Sequence, residues 1–276
     1  MLSRLLITMA FILLPCGLTV AENTIRVAGS STVLPILVDA ANHYQQLHPE
    51  TTITVSGGGS GTGISSAING IVDIGMTSRK LTALERDQIG EQFETIDLAR
   101  DAVAVAVSKA VVESGVDSLS VAQIADIYRG KIKNWKDVGG FDKPILVIDK
   151  EPSRGTRHVF AEVILGDAAA RAPGATIVTG SNNEERSIIA RSDQAIGMLS
   201  FAWLNDDARG LPIKLADGAL TTPTRENIFN GTYPIQRSLS ILVAKQRSDD
   251  LQRFLDFLRS SSIIPVIEKN GYLPLN

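Results

Sequence analysis

Hydroxyl side chains fall at one recurrent kind of place in this chain. Ser31 and Thr32, Ser60, Ser78, and Ser153 with Thr156 each follow a short apolar run and small residues, and each stands at or just before a helical pattern. The amides of a first helical turn have no partner within the helix, carry roughly half a positive charge and point outward. Such a place accepts an anion without needing a cationic side chain. The hydroxyls add donors that match the oxygens of a tetrahedral ion. Arg79, Lys150, Arg154 and Arg157 lie in the same segments and offer charge balance, each charge-assisted bond contributing about 1.5–3 kcal/mol. Four convergent loops of this composition could take a small anion out of water.

Taken singly, these motifs are ambiguous. A serine or threonine ahead of a helix is an ordinary cap, and Arg79 and Arg157 would serve equally in surface ion pairs. The loop Gly57-Gly58-Gly59-Ser60-Gly61-Thr62-Gly63 resembles a phosphate cradle but lacks the Gly-Lys-Ser/Thr of a nucleotide P-loop. It also fails the Gly-x-Ser-x-Gly spacing, because Thr62 stands at the last position. His43, His48 and His158 are the only histidines. None is spaced for zinc or placed beside a serine nucleophile, so no catalytic residue, metal site or cofactor is expected. Only the combination of hydroxyl loops and cations is informative.

The elements that must position these loops alternate. Residues 24–28, 52–55, 71–75, 102–107, 144–148, 195–201 and 239–244 read as strands. Helical patterns lie between them: Leu34, Leu37, Val38, Ala41 and Tyr44 on one face, then 82–89, 121–128, 158–165, 182–190, and finally Leu251, Phe254, Leu255 and Leu258. Ser31 and Thr32 are the expected N-cap of the first helix, with Pro35 in its first turn. This grammar predicts an α/β fold with parallel strands, and residues 209–236 read as long connections.

Composition narrows the class. The 276 residues are 44 % apolar with a net charge of −3, enough for one large or two modest cores. No basic stripe interleaved with aromatics suggests a nucleic-acid partner. Residues 1–21 read as a secretory signal: Arg4 supplies the basic region, residues 5–14 the apolar run, and Thr19-Val20-Ala21 the cleavage site before Glu22. That run is too short to span a bilayer, so an exported, non-spanning protein is expected. The single cysteine, Cys16, is either incidental to the signal or the lipid-modified residue of a lipoprotein. Pro15 directly before it argues against lipidation.

Ala28-Gly29-Ser30-Ser31-Thr32-Val33-Leu34-Pro35, the glycine loop 57–63, Val72-Asp73-Ile74-Gly75-Met76-Thr77-Ser78-Arg79 and residues 151–157 recur in a known order and spacing. So do Ile127-Tyr128-Arg129-Gly130-Lys131-Ile132, Asn134-Trp135, Ala195-Ile196-Gly197-Met198-Leu199-Ser200-Phe201 and Gly271-Tyr272-Leu273-Pro274. Together they resemble the substrate-binding protein of bacterial ABC phosphate importers, the PstS type, over essentially all of the chain beyond the signal. The resemblance implies a two-lobed class II periplasmic-binding-protein fold, each lobe a mixed or parallel sheet flanked by helices, with ligand in the interlobe cleft. The lobes are expected at 22–100 with 237–276 and at 101–236.

Carried over by position, Ser31, Thr32, Ser60 and Ser78 would bind from lobe one, and Gly155 and Thr156 from lobe two. Arg79, Lys150, Ser153 and Arg154 complete the expected set. The resemblance further implies a periplasmic monomer that captures inorganic phosphate, or a similar oxyanion, for the permease subunits of an ABC importer. The same site on an envelope sensor, scavenger or adhesion protein is the alternative, and a phosphate-ester enzyme is a further one. Three positions depart from the family pattern. Ser153-Arg154-Gly155-Thr156 stands where Gly-Ser-Gly-Thr is usual, Lys150 where an arginine is frequent, and Ser78 where some relatives have aspartate, which bears on discrimination against sulfate.

Overall fold

The computed structural model describes residues 23–275; the expected signal segment, with Cys16 and its cleavage site, lies outside the described residues. The chain opens with β1 (Asn23–Gly29), α1 (Leu34–Leu47), β2 (Thr51–Ser56), α2 (Ser60–Ile68), β3 (Ile74–Thr77), α3 (Ala83–Ile89) and β4 (Phe93–Ser108). It continues with α4 (Lys109–Glu113), β5 (Leu119–Ser120), α5 (Val121–Tyr128), β6 (Leu146–Lys150), α6 (Gly155–Phe160), β7 (Ile177–Thr179), α7 (Asn182–Arg191) and β8 (Ala195–Ser200). Short elements follow: β9 (Ala208–Gly210), β10 (Ile213–Lys214), β11 (Leu220–Thr221) and α8 (Arg225–Phe229). The chain returns through β12 (Gln236–Ala244) to α9 (Asp249–Arg259), α10 (Ile264–Lys269) and β13 (Leu273–Pro274).

The main sheet has the strand order β2-β1-β3-β12-β4-β8-β6-β7. β1 is parallel to β2 and β3, and β6 is parallel to β7 and β8, as helical crossovers require. β4 joins the two groups. Its residues 93–102 pair antiparallel with β12, while residues 103–107 pair antiparallel with β8. On one side of this passage Val27, Leu37, Ile74, Leu98, Leu239 and Phe254 share a core. On the other, Val103, Val105, Tyr128, Trp135, Phe160 and Met198 share a second. The result is the expected two-lobed mixed α/β fold.

Three of the boundaries that differ from the sequence expectation bear on the site. β4 begins nine residues before the apolar run at 102–107, because in its first part Ile96 and Leu98 are buried while Thr95 and Asp97 face solvent. Only the second part is buried on both faces and reads as a continuous apolar stretch. The helix expected from residue 158 starts at Gly155, and its continuation, Ala161–Leu165, widens to a π-helix. Helix α1 starts at Leu34 with Val33 as its cap and no side-chain capping bond, so Ser31 and Thr32 are not caps.

The last long helix shows how locally consistent the sequence is. Ser248 Oγ accepts from Leu251 N at 3.2 Å, Asp249 and Asp250 lie in the first turn and Arg259 in the last, as the helix dipole favours. Its apolar stripe buries Leu251, Phe254, Leu255 and Leu258, and Phe254 meets Tyr44 of α1 with ring centroids 5.1 Å apart. Phe254→Ala should therefore lower the unfolding free energy by about 3–5 kcal/mol, read from urea denaturation. A change below about 1 kcal/mol would show that this helix does not hold the first core.

Candidate anion-binding site

Loops at the carboxyl ends of β1, β3, β6 and β7 line one polar pocket, where open α/β sheets hold ligands. Ser30, Ser31 and Thr32 follow β1, Ser60 opens α2, and Ser78 follows β3. From the other side come Lys150 at the end of β6, Gly155 and Thr156 at the start of α6, and Ser181 and Asn182 at the start of α7. The two sides touch. Thr32 Oγ1 and Thr156 Oγ1 are 3.4 Å apart, Asn182 Nδ2 donates to Thr32 Oγ1 at 3.1 Å, and Gly61 N donates to Ser153 O at 3.0 Å. A Cβ at position 155 would collide with Ser60 Oγ and Ser78 Oγ, so only glycine allows this approach.

Arg237, on β12, borders the neighbouring groove and organises the pocket from behind, through the hydroxyls that line it. Its Nε and Nη2 donate to Asp101 Oδ2 at 2.9 and 2.7 Å, and Asp101 Oδ1 accepts from Ser200 Oγ at 2.9 Å. Both ionic side chains are almost wholly buried. Burial pushes the Asp101 carboxyl above its ordinary range against the opposing pull of Arg237 and Ser200. The remaining nitrogen, Nη1, donates to Thr156 Oγ1 at 2.9 Å and reaches Ser78 Oγ at 3.4 Å, while Nη2 lies 3.5 Å from Thr32 Oγ1. One guanidinium therefore contacts hydroxyls from both sides of the cleft. Ser60 Oγ accepts from Ser78 N at 3.0 Å and lies 3.3 Å from Ser78 Oγ.

The other cations near the pocket are also paired. Lys150 Nζ meets Glu185 Oε2, both side chains being buried, and donates to Ser181 O at 3.1 Å. Burial raises the Glu185 carboxyl to about 7, with Lys150 pulling the other way. Arg154 stands at the rim with Nε donating to Glu151 Oε2 at 2.7 Å, and its chain crosses to the opposite wall, where a Cβ on Gly59 would lie 2.9 Å from Arg154 Cδ.

Eight of the ten expected ligand residues line this pocket: Ser31, Thr32, Ser60, Ser78, Lys150, Arg154, Gly155 and Thr156. Two stand outside it. Ser153 is exposed and spans the cleft by its carbonyl. Arg79 forms a fork with Glu85, both bonds 2.7 Å, and borders a separate groove. Burial raises the Glu85 carboxyl, but hydrogen bonds from Arg79 and Thr82 outweigh it and hold the group at about 2. Arg157 likewise turns to Asp149.

Sequence reasoning missed Arg237, Asp101, Asn182 and Glu185. A signal existed for the first two: Arg237 shares strand parity with buried Leu239, and Asp101 with buried Ala99 and Val103, so each is a charge on a buried face. Charged side chains are almost never placed there unless paired.

With this geometry in view, comparison with known proteins is decisive. The family model described as the PBP superfamily domain matches residues 19–262. A Bacillus subtilis protein named phosphate-binding protein PstS is 34 % identical over 262 residues, covering 92 % of this chain and 82 % of the relative. The chain belongs to this family, with the PstS-type proteins. Among solved structures, a phosphate ABC transporter substrate-binding protein from Clostridium perfringens with bound phosphate superposes with a TM-score of 0.83 at 28 % identity. That match covers 92 % of this chain and all of the other. An ABC-type phosphate transport receptor from Vibrio cholerae gives a TM-score of 0.74 at 34 % identity, covering 91 % and 100 %.

Two predictions follow from the ion pairs of this family member. Arg237→Met leaves Asp101 buried without its partner and should cost about 3–5 kcal/mol of stability, whereas replacing both residues by apolar ones should restore much of the loss. Urea midpoints of the single and double variants test this. Glu85 has a folded value of about 2 against an ordinary 4.5, so its contribution is complete above pH 4.5 and is lost as pH falls toward 2. The stability gap between wild type and Glu85→Gln should therefore be flat from neutral pH to about 5 and shrink below it; a gap that widens on acidification would reverse the assignment.

Proposed function

We propose that this protein is an extracytoplasmic solute-binding protein that captures inorganic phosphate in the periplasm and delivers it, as a monomer, to the permease of an ABC importer. One observation carries the reading. Hydroxyls from both sides of the cleft, Thr32 and Ser78 on one and Thr156 on the other, gather around the single guanidinium of Arg237. The pocket lining is hydroxyl, amide, ammonium, guanidinium and glycine, with no apolar side chain among its described residues, a donor set that suits a small tetrahedral oxyanion.

The expected lobe boundaries, 22–100 with 237–276 and 101–236, are supported by the two cores, one built from residues up to Ala99 and from Leu239 to Tyr272, the other from Ala102 to Ile235 with Leu273. Ligand held by both lobes favours the closed arrangement, because it gains contacts there that the open one lacks. No helix among the described residues is long and apolar enough to cross a membrane, and an exported carrier needs none. The names of the relatives point the same way.

Calorimetry with phosphate is the direct test. Thr156→Val removes a buried hydroxyl that faces the pocket and should weaken phosphate binding by about 1–3 kcal/mol, while Thr24→Val, at an exposed position in β1, should leave it unchanged. Equal affinity in the two variants would take Thr156 out of the site. Sulfate bound in preference to phosphate would replace the ligand but keep the site.

A further inference from the structure

Two cations line the pocket, Arg154 and Lys150, and a third, Arg237, stands directly behind its hydroxyls; each is already matched by a carboxylate, Arg237 by Asp101, Arg154 by Glu151 and Lys150 by Glu185. The pocket thus presents donors without net positive charge. An entering divalent oxyanion would leave two buried negative charges uncompensated, which a low-dielectric site does not tolerate.

The three carboxylates differ in how readily each could take up a proton. Asp101 accepts two bonds from the Arg237 fork on one oxygen and one from Ser200 on the other, so protonation there would disturb that fork. Glu151 is half exposed at the rim, where water screens its charge. Glu185 is wholly buried; its Oε1 accepts from Met198 N at 2.7 Å, whereas Oε2 has, among the described residues, no polar partner besides the Lys150 ammonium. A proton on Oε2 breaks that one contact. It frees an ammonium on a flexible four-carbon stem that already stands in the pocket wall.

We propose that Glu185 is the charge-compensating proton acceptor of this site: capture of a divalent oxyanion places a solvent proton on Glu185 Oε2 and releases the Lys150 ammonium to the anion. This rests on the phosphate reading above and adds a pH linkage to it. The only new covalent bond is O–H, and Lys150 remains an ammonium throughout.

The surroundings leave Glu185 as the responsive group. On β6, Asp149 is neutralised by Arg157 at 3.3 Å, and Tyr128 of α5 donates its hydroxyl to Ile148 O at 3.1 Å. β8 brings no ionisable side chain, β4 brings Asp101 with its own arginine, and Arg209 of β9 donates to Asp206 O. On α7 itself, Glu184 turns to Gly180 N and Arg186 to Asn183, while Arg191 is exposed at the far end of the helix. A value of about 7, set by burial against Lys150 with Asp149 adding to the rise, leaves Glu185 near its midpoint at neutral pH. A dianion beside it completes the protonation.

The test is phosphate calorimetry on the intact protein in buffers of different ionisation enthalpy, which counts protons taken up per anion bound. Protonation changes of phosphate itself are common to wild type and Glu185→Gln, so their difference isolates Glu185. At pH 8 the wild type should take up more protons than the variant, by up to one, and the difference should vanish by pH 6. Glu185→Gln should bind phosphate up to about tenfold tighter at pH 8 and equally at pH 6, one pH unit being tenfold. Equal proton counts at pH 8 overturn the assignment while phosphate capture stands; a wild type that binds no phosphate overturns both. Should the variant not fold, infrared difference spectra of the wild type with and without phosphate at pH 8 decide. A new carboxylic-acid carbonyl band supports the proposal, and its absence overturns it.

Discussion

Arg237 and Asp101 are direct cross-strand partners on β12 and β4, at the place where the sheet passes from one core to the other. Removing two charges from water costs several kcal/mol per ion, and only a fork with every remaining position bonded makes that tolerable. Asp101 achieves this with Ser200, and Arg237 with Thr156 and Ser78. The pair therefore fixes more than two strands. It fixes the direction of Nη1, and through it the positions of hydroxyls that belong to opposite walls of the cleft.

A division of labour among helix starts supports the same site. Thr82, Ser120, Ser181, Thr224 and Ser248 each accept a bond from their own helix's first turn. The helices that begin at Leu34, Ser60 and Gly155 have Val33, Gly59 and Arg154 as caps, and none makes a side-chain capping bond. Capping would satisfy the amides that an anion needs and would turn the hydroxyls back onto their own chain. At these three starts the hydroxyls of Thr32, Ser60 and Thr156 instead face other side chains of the site, Thr156, Ser78 and Arg237. Asn182, which follows the capped Ser181, contributes its amide rather than its helix end.

Sequence alone could reach what is local. Strand and helix periods, the hydroxyl loops and the glycine at 155 are properties of a few consecutive residues, and the motif order carried the lobes with them. What stayed hidden is pairwise and distant. Arg79 and Arg154 look alike in sequence, yet Glu85 draws one away and Glu151 holds the other at the rim. Arg237 lies 136 positions from Asp101, so neither residue announces the other, although a charge on the buried parity of a strand marks each as requiring a partner. Glu185 sits in the first turn of a helix, where an acidic residue is ordinary. Only the fold reveals that its side chain points inward to Lys150.

The matched charges also determine how such a protein can hold an anion. With a net charge of −3 it gains nothing from long-range attraction, and pocket cations neutralised at contact distance project little field into the cleft. On the reading proposed above, attraction comes from bonds made at contact range: oriented hydroxyls, first-turn amides, a guanidinium and, once Glu185 is protonated, the Lys150 ammonium. Those donors are split between two walls, so a bound anion collects the full set only when the walls meet. On that reading affinity resides in closure rather than in encounter. A chain that distributes its donors this way makes the same contacts serve both to retain the ligand and to signal, by the closed shape, that it is held.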